Sequence, residues 1–260
     1  MTAAEGELFR PPSEAERLGR LPFRVRFDEA TPSGGIRTSV LLRYAADLAS
    51  YHSEQRGFSR SWYRDRGLAW LVRGADLELR LPIRYGDELI GTTEAVAARK
   101  VLARRRTEFR TAADELAAVA VVDWALISDA GTPTRIPAGL GVAFGMADGG
   151  FVPVRVRIPA PIGPEPISLE LGVRPQELDP MDHVNNAVYL DWAEEAIRST
   201  GAHDGAAVDE VPRRWQLEYL AAAAPTTRVL VSAWTDPGGW SCRIVDQTNG
   251  QAFLGARLEA

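Results

Sequence analysis

Shifting this chain against itself by 148 positions brings a strand, a loop and a helix into register with themselves. Val25-Arg26 falls on Val173-Arg174, Glu29 on Glu177 and Pro32 on Pro180. Further along, Val40 falls on Val188, Leu42 on Leu190, Tyr44 on Trp192 and Ala45 on Ala193. A second echo sets Leu77-Glu78 on Leu217-Glu218. Two long copies mean a duplicated domain and not a solenoid of short repeats. Whatever fold one copy adopts, the other must adopt as well.

Each copy has the same order of elements. In the first, residues 23–27 read as a short strand and Thr31-Pro32-Ser33-Gly34-Gly35 as a turn-rich loop. Residues 36–56 read as a helix with Val40, Leu41, Tyr44, Leu48 and Tyr51 near one face, ended by Gly57. Strand patterns follow at 69–81, 88–98, 101–111 and 116–127. The second copy runs from a strand at 167–173, through a helix at 184–200, to strands at 215–220, 228–234, 241–245 and 252–258. One long helix followed by an antiparallel run is an α+β order, and so apolar a helix is best buried by a sheet wrapped around it. The expected boundaries are a tail at 1–20, domains at 21–137 and 167–260, and a Gly- and Pro-rich surface linker at 138–166.

Composition narrows the function. A formal charge of −5 argues against a nucleic-acid binder. A single cysteine, Cys242, excludes an internal disulfide and fits a reducing compartment. The first residues lack the apolar stretch of a signal peptide, and no segment approaches the roughly 18 apolar residues of a membrane span. A soluble, cytoplasmic protein is expected, with no membrane association. His52, His183 and His203 are scattered without metal-ligand spacing. There is no Gly-x-Gly-x-x-Gly, phosphate loop or Gly-x-Ser-x-Gly elbow, so chemistry without a bound cofactor is expected.

The densest polar constellation is Asp179-Pro180-Met181-Asp182-His183-Val184-Asn185-Asn186, which passes into an amphipathic helix carrying Val188 and Trp192. Helix-start amide N–H groups lack internal partners, so Val184 and Asn185 read as oxyanion donors beside a carboxylate and an imidazole. Plainer readings stand next to these: Asp179 as a turn cap, Asp182 as the N-cap, His183 as a structural residue in the first helical turn, and Asn185 and Asn186 as helix-start residues.

These residues resemble the Asp-Pro-x-Gly-His-Val-Asn-Asn-x-x-Tyr signature of hotdog-fold thioesterases, related to the hydroxybenzoyl-CoA type, with acyl–acyl carrier protein thioesterases the nearest branch. In the first copy Tyr51-His52, Gly57-Phe58-Ser59, the Trp70 strand, Tyr85-Gly86-Asp87 and the Trp124 strand follow that family's order. The resemblance implies a tandem (double) hotdog and hydrolysis of an acyl thioester, carried by acyl carrier protein (ACP) in preference to CoA. It implies catalytic roles for Asp179, as general base, and for His183 and Asn185. Met181, Asp182 and Asn186 would contact substrate, and Leu68 and Trp70 would line an acyl tunnel in the first copy. Arg104-Arg105-Arg106 reads either as solvated strand residues or as a basic landing patch for an acidic carrier.

Only the second copy retains the polar groups: Thr31 replaces the aspartate, Gly35 the histidine and Arg37-Thr38 the Asn pair. Met181 stands where plant-type members carry Asn, and Ala222 and Ala223 where they carry Glu or Cys. Those departures keep two rivals open, a hotdog dehydratase acting on a 3-hydroxyacyl thioester and a non-catalytic acyl-carrier-binding protein. A homodimer is also left open. Of the other polar residues, Glu78 and Glu218 read as sharing a fold-level role, Glu194 and Glu195 as a solvated helix face, His52 as a structural helix residue, His203 as exposed and Cys242 as core.

Overall fold

The computed structural model describes residues 8–161, 166–199 and 204–259. Strand β1 (Gly19–Arg24) opens the first half and leads into a turn of 3-10 helix at Phe27–Glu29. The strand lies earlier than the expected 23–27, because Glu29 reaches back to accept the Arg26 N–H at 2.8 Å and ends the extended run. Helices α1 (Thr38–Gln55) and α2 (Arg60–Arg64) follow, then β2 (Leu68–Leu79), β3 (Glu88–Arg99), β4 (Leu102–Thr111) and β5 (Leu116–Ser128). A connecting segment holds α3 (Ala138–Ala143) and β6 (Ala147–Asp148). The second half has β7 (Ile167–Gly172), a 3-10 turn at Pro175–Glu177, α4 (Asn186–Arg198), β8 (Arg213–Tyr219), β9 (Arg228–Asp236), β10 (Gly239–Asp246) and β11 (Ala252–Glu259).

The strands join in one sheet, β1-β3-β4-β5-β2-β8-β11-β10-β9-β7, with β6 beside β3. Read outward from the β2–β8 seam, both halves have the same order. The fold is the expected α+β double hotdog, with the two sheets fused into one. At the seam Asp76 pairs with Gln216, Leu77 with Trp215 and Ala75 with Leu217. Asp76 and Gln216 are equivalent under the offset that superposes Leu77-Glu78 on Leu217-Glu218. A local two-fold axis therefore passes between them, and the register is the self-complementary one such an axis requires. Helices α1 and α4 pack on each other, and Arg43 meets Asp191, its counterpart 148 positions on, at 2.7 Å. The identities of the repeat have a shared physical basis. Glu29 is buried, caps Arg26 and accepts the Tyr44 hydroxyl, while Glu177 is buried, caps Arg174 and accepts the Trp192 indole at 3.2 Å.

One core runs through both halves, with Leu41, Leu77 and Phe109 from the first and Trp192, Trp215 and Leu217 from the second. A satellite cluster built on Phe58, Tyr63, Leu126, Leu140 and Phe144 sits in the first half. Leu140 comes from α3, so the connecting segment begins as a packed helix. It then crosses the sheet and is pinned at each step. Arg104 donates to the Val152 carbonyl at 2.9 Å, and the Asp123 carboxylate accepts the Val154 N–H at 2.7 Å. Glu218 accepts the Val156 N–H at 3.0 Å, and the Trp234 indole donates to the Pro159 carbonyl at 3.1 Å. A Cβ on Gly74 would lie 2.8 Å from that of Val154, so glycine is what lets the segment lie flat over the seam. The described part of the expected linker, residues 138–161, is thus a strap packed and hydrogen-bonded onto the sheet.

The strap also separates Glu218 from Glu78. Glu218 lies under it, paired with Arg155 and Arg73, whereas Glu78 pairs with Arg80 near solvent, so the two do not share one role. Glu194 departs from the expected solvated face. It is buried among Thr38 and Arg213, and burial pushes its carboxyl up to about 7, while Glu195 is exposed. Cys242 is buried on β10, and burial raises its thiol well above the usual range.

Asp123→Ala should remove the carboxylate under the strap. The expected cost in urea unfolding is about 2 kcal/mol, below the 3–5 of a fully buried pair because Arg104 is partly exposed. The Val154 amide should lose hydrogen-exchange protection. Unchanged stability and unchanged protection would show that the strap is held by something else.

Candidate active site

Residues 178–184 form a closed turn. Leu178 and Val184 bridge, the Asp179 N–H donates to the His183 carbonyl at 2.8 Å, and the Asp182 N–H donates to the Asp179 carbonyl at 2.9 Å. The first copy makes the same turn, with Thr31 N–H to Gly35 at 2.7 Å and Gly34 N–H to Thr31 at 2.8 Å. Its backbone is therefore a property of the fold. Asp182 has φ 60° where Gly34 has 83°, so it occupies a left-handed turn position. The N-cap of α4 is Asn185, whose Oδ1 accepts the Ala187 N–H at 3.0 Å, and not Asp182. His183 accordingly precedes the helix and is not in its first turn.

The side chains give this loop its individuality. Asp179 Oδ1 accepts the Met181 N–H at 2.8 Å with a long 3.5 Å approach from the His183 N–H, while Oδ2 takes no hydrogen bond among the described residues. The capping role of Asp179 leaves one oxygen open. His183, Asn185 and Asn186 are half-buried beside it, and Asp182 is exposed.

The expected oxyanion donors are already committed. The Val184 N–H donates to the Ala223 carbonyl at 3.2 Å and the Asn185 N–H to the Glu177 carbonyl at 2.8 Å. Ile36 and Arg37 make the equivalent bonds in the first copy, which marks both as fold-level contacts. What remains is the Asn186 N–H, at the first helical position, and the Asn185 Nδ2 group; neither has an acceptor among the described residues. Sequence reasoning missed two tyrosines that brace the loop. The Tyr189 hydroxyl accepts the Ala223 N–H at 2.8 Å, and Tyr219 donates to the Asn186 carbonyl at 2.9 Å. Burial, with the Asp179 charge adding to it, pushes Tyr189 up to about 12. Ala223 is thus where both its backbone groups hold the site together, whereas Ala222 is exposed. The signal for Tyr189 was present as the final Tyr of the signature.

Beside the loop lies a cavity of about 460 Å³. Leu68, Trp70, Trp124, Phe58, Leu140 and Phe144 supply apolar walls, and Met181 of the loop reaches its lining. Arg60 donates to the Pro180 carbonyl at 2.8 Å, tying α2 to the loop. Helices α2 and α3, which close this cavity, were not legible as helices in the sequence.

The arginine run is not a common landing patch. A strand alternates sides, so Arg104 and Arg106 face one way and Arg105 the other. Arg104 pairs with Asp123 at 2.7 Å and Arg106 with Glu108, whereas Arg105 enters the cavity lining. There Arg105 Nη1 lies 3.0 Å from His52 Nδ1, and His52 Nε2 lies 3.0 Å from the Glu16 carbonyl. His52 is therefore a neutral imidazole that donates to Glu16 and accepts from Arg105. Burial, then the charges of Arg105 and Arg56, push it down to about 4. His203 lies outside the described residues.

Two expectations follow from this geometry. A left-handed residue that is not glycine costs about 1–2 kcal/mol, and glycine's extra unfolded freedom returns about 0.4–1 of it. Asp182→Gly should therefore keep the melting temperature or raise it slightly and retain turnover; loss of turnover would make Asp182 a chemical group. The folded pKa of His52 lies below its ordinary 6.5, so the unfolded chain binds the extra proton. Its contribution to stability is present above pH 6.5 and is lost as pH falls toward 4. His52→Gln keeps both hydrogen bonds and should flatten that part of the pH profile; an unchanged slope would place the titrating group elsewhere.

Residues 20–137 match the acyl-ACP thioesterase N-terminal domain and residues 164–231 the acyl-ACP thioesterase C-terminal domain. No curated protein matches the chain significantly. Among solved structures, a Lactobacillus plantarum protein assigned as an oleoyl thioesterase has a TM-score of 0.78 at 18% identity, over 93% of this chain and 95% of that one. An acyl-ACP thioesterase from Bacteroides thetaiotaomicron has a TM-score of 0.77 at 16% identity, over 95% and 99%. The 12:0-ACP thioesterase from Umbellularia californica has a TM-score of 0.74 at 18% identity, over 93% and 96%. At these identities the structures establish a common fold. The two domain matches together span most of the sequence, and the chain belongs to the acyl-ACP thioesterase family, a family of thioester hydrolases.

Proposed function

We propose that the loop at 179–186 hydrolyses acyl thioesters whose acyl chain lies in the first-half cavity, with acyl carrier protein as the carrier. The observation that supports this is the position of Met181. It sits between Asp179 and His183 in sequence and lines the cavity, so a chain lying in the cavity brings its thioester to the loop. Asp179 Oδ2, held in place through Oδ1, accepts a proton from water as that water attacks the carbonyl carbon. The Asn186 N–H, at the positive end of α4, takes the developing oxyanion, with the Asn185 side-chain amide beside it. His183 orients the carbonyl or the water. Collapse of the tetrahedral species breaks the C–S bond, and the proton held by Asp179 passes to the departing thiolate, giving a free acid and a free thiol.

The first copy offers no equivalent. Its Thr31 hydroxyl is bonded to Ser33 at 2.8 Å, and glycine stands at the histidine position. The seam gives one chain the pairing of two hotdog units, so this mechanism calls on no second chain. In the cytoplasm, the compartment expected for the protein, acyl carrier protein would deliver the substrate.

Asp179→Asn tests the base. Asparagine keeps the Met181 contact but cannot take a proton, so kcat should fall by about 10²-fold or more while KM changes little. The assay follows free thiol and product acid together. Near-wild-type turnover in Asp179→Asn would place the base elsewhere, and an enoyl thioester product would favour the dehydratase.

A further inference from the structure

Three arginines stand in succession on β4, and their surroundings differ. Arg104 and Arg106 each have a carboxylate, Asp123 and Glu108. Arg105 has none within salt-bridge reach among the described residues. Its recorded hydrogen bond is to a neutral ring nitrogen, His52 Nδ1, and the face of Phe144 lies 5.2 Å from the guanidinium carbon. Arg105 nevertheless lines the cavity described above, whose walls are largely aliphatic and aromatic; Glu54, Asp129, Arg60 and Arg64 also belong to the lining, and neither carboxylate pairs with Arg105. Burial pulls its pKa down to about 10, which leaves it charged at neutral pH. Since His52 holds Nη1, the Nε and Nη2 donors remain, and that edge of a guanidinium is the one a carboxylate takes with two parallel hydrogen bonds.

A plain hydrocarbon chain would be a poor occupant of such a cavity. It would strip the remaining water from a cation and give no acceptor in return, and an unpaired buried charge is costly. A chain with its own anionic oxygen removes that cost. We propose that Arg105 is a specificity-determining residue that binds a carboxylate carried by the acyl chain away from the thioester, so that the preferred substrates are half-thioesters of dicarboxylic acids. This rests on the thioesterase reading of the loop, and the test below separates the two.

The substrates are matched pairs on acyl carrier protein: octanoyl with suberoyl, and decanoyl with sebacoyl. Thiol release is measured for the wild type, Arg105→Met and Arg105→Lys. The wild type should prefer the carboxylated member of a pair by about 10-fold or more in kcat/KM, because a site built to bond a polar group rejects the analogue lacking it. Arg105→Met should lose that preference, its rate on the carboxylated member falling by more than its rate on the plain one, and Arg105→Lys should fall between. Arg105→Met removes a charge that has no counterion and also the donor to His52 Nδ1, so Arg105→Lys, which keeps a donor and a charge, controls for folding. A wild-type preference for plain chains, or an equal loss on both members of a pair, would overturn the proposal.

If the wild type released thiol from no substrate, the hydrolase reading would fail while Arg105 could still be judged by binding of monomethyl sebacate against methyl decanoate. Monomethyl sebacate binding that weakens about 10-fold or more in Arg105→Met would uphold the site. Equal binding by both proteins would remove it.

Discussion

The pairing of β2 with β8 is the contact on which the rest of this molecule depends. A lone hotdog sheet ends in an exposed edge strand, which is a liability in water. Here each half covers the inner edge of the other, and the register at Asp76 and Gln216 is the one a two-fold axis demands. The same axis brings α1 and α4 together and sets Arg43 opposite Asp191. Fusing the copies frees them from being alike. The first half has the turn without the polar side chains, and α2, with α3 of the connecting segment, walls a cavity there. The second half has kept the polar loop. Site and cavity therefore belong to different copies and meet at Met181.

Charge is distributed with a similar division of labour. On the strap-bearing face the buried carboxylates Asp123 and Glu218 are met by arginines and by backbone N–H groups, so their burial is compensated. Inside the cavity Arg105 has a neutral imidazole and an aromatic face as its partners. A single residue step along β4 turns a structural ion pair into a cation facing the cavity.

Much of the fold was legible because it rests on periodicity and repetition. The apolar face of α1, the long strands β2 to β5 and the equivalence of Glu29 with Glu177 are local or repeated signals. What escaped the sequence depends on long-range contacts. The helix Ala138–Ala143 lies in a Gly- and Pro-rich stretch and is held by packing of Leu140 against the satellite cluster. Glu194 reads as a solvated residue until α1 and Arg213 enclose it. The site shows the same split. Asp179, His183 and Asn185 were singled out by the signature, and the structure keeps them in one loop. Which N–H groups were spoken for could not be read, because the acceptors of Val184 and Asn185 are the carbonyls of Ala223 and Glu177, one of them on another part of the chain. The arginine run looked like a patch because a string of letters hides the alternation of a strand.

The central claim is that the second copy's loop acts on a chain lying in the first copy's cavity. A crystal structure with an inert amide analogue of decanoyl-pantetheine tests this most directly. The account predicts the amide carbonyl oxygen at hydrogen-bond distance from the Asn186 N–H, with the chain passing Met181 to lie between Leu68 and Trp70. A carbonyl seated at the Thr31–Gly35 turn, or a chain lying outside the cavity, would contradict it.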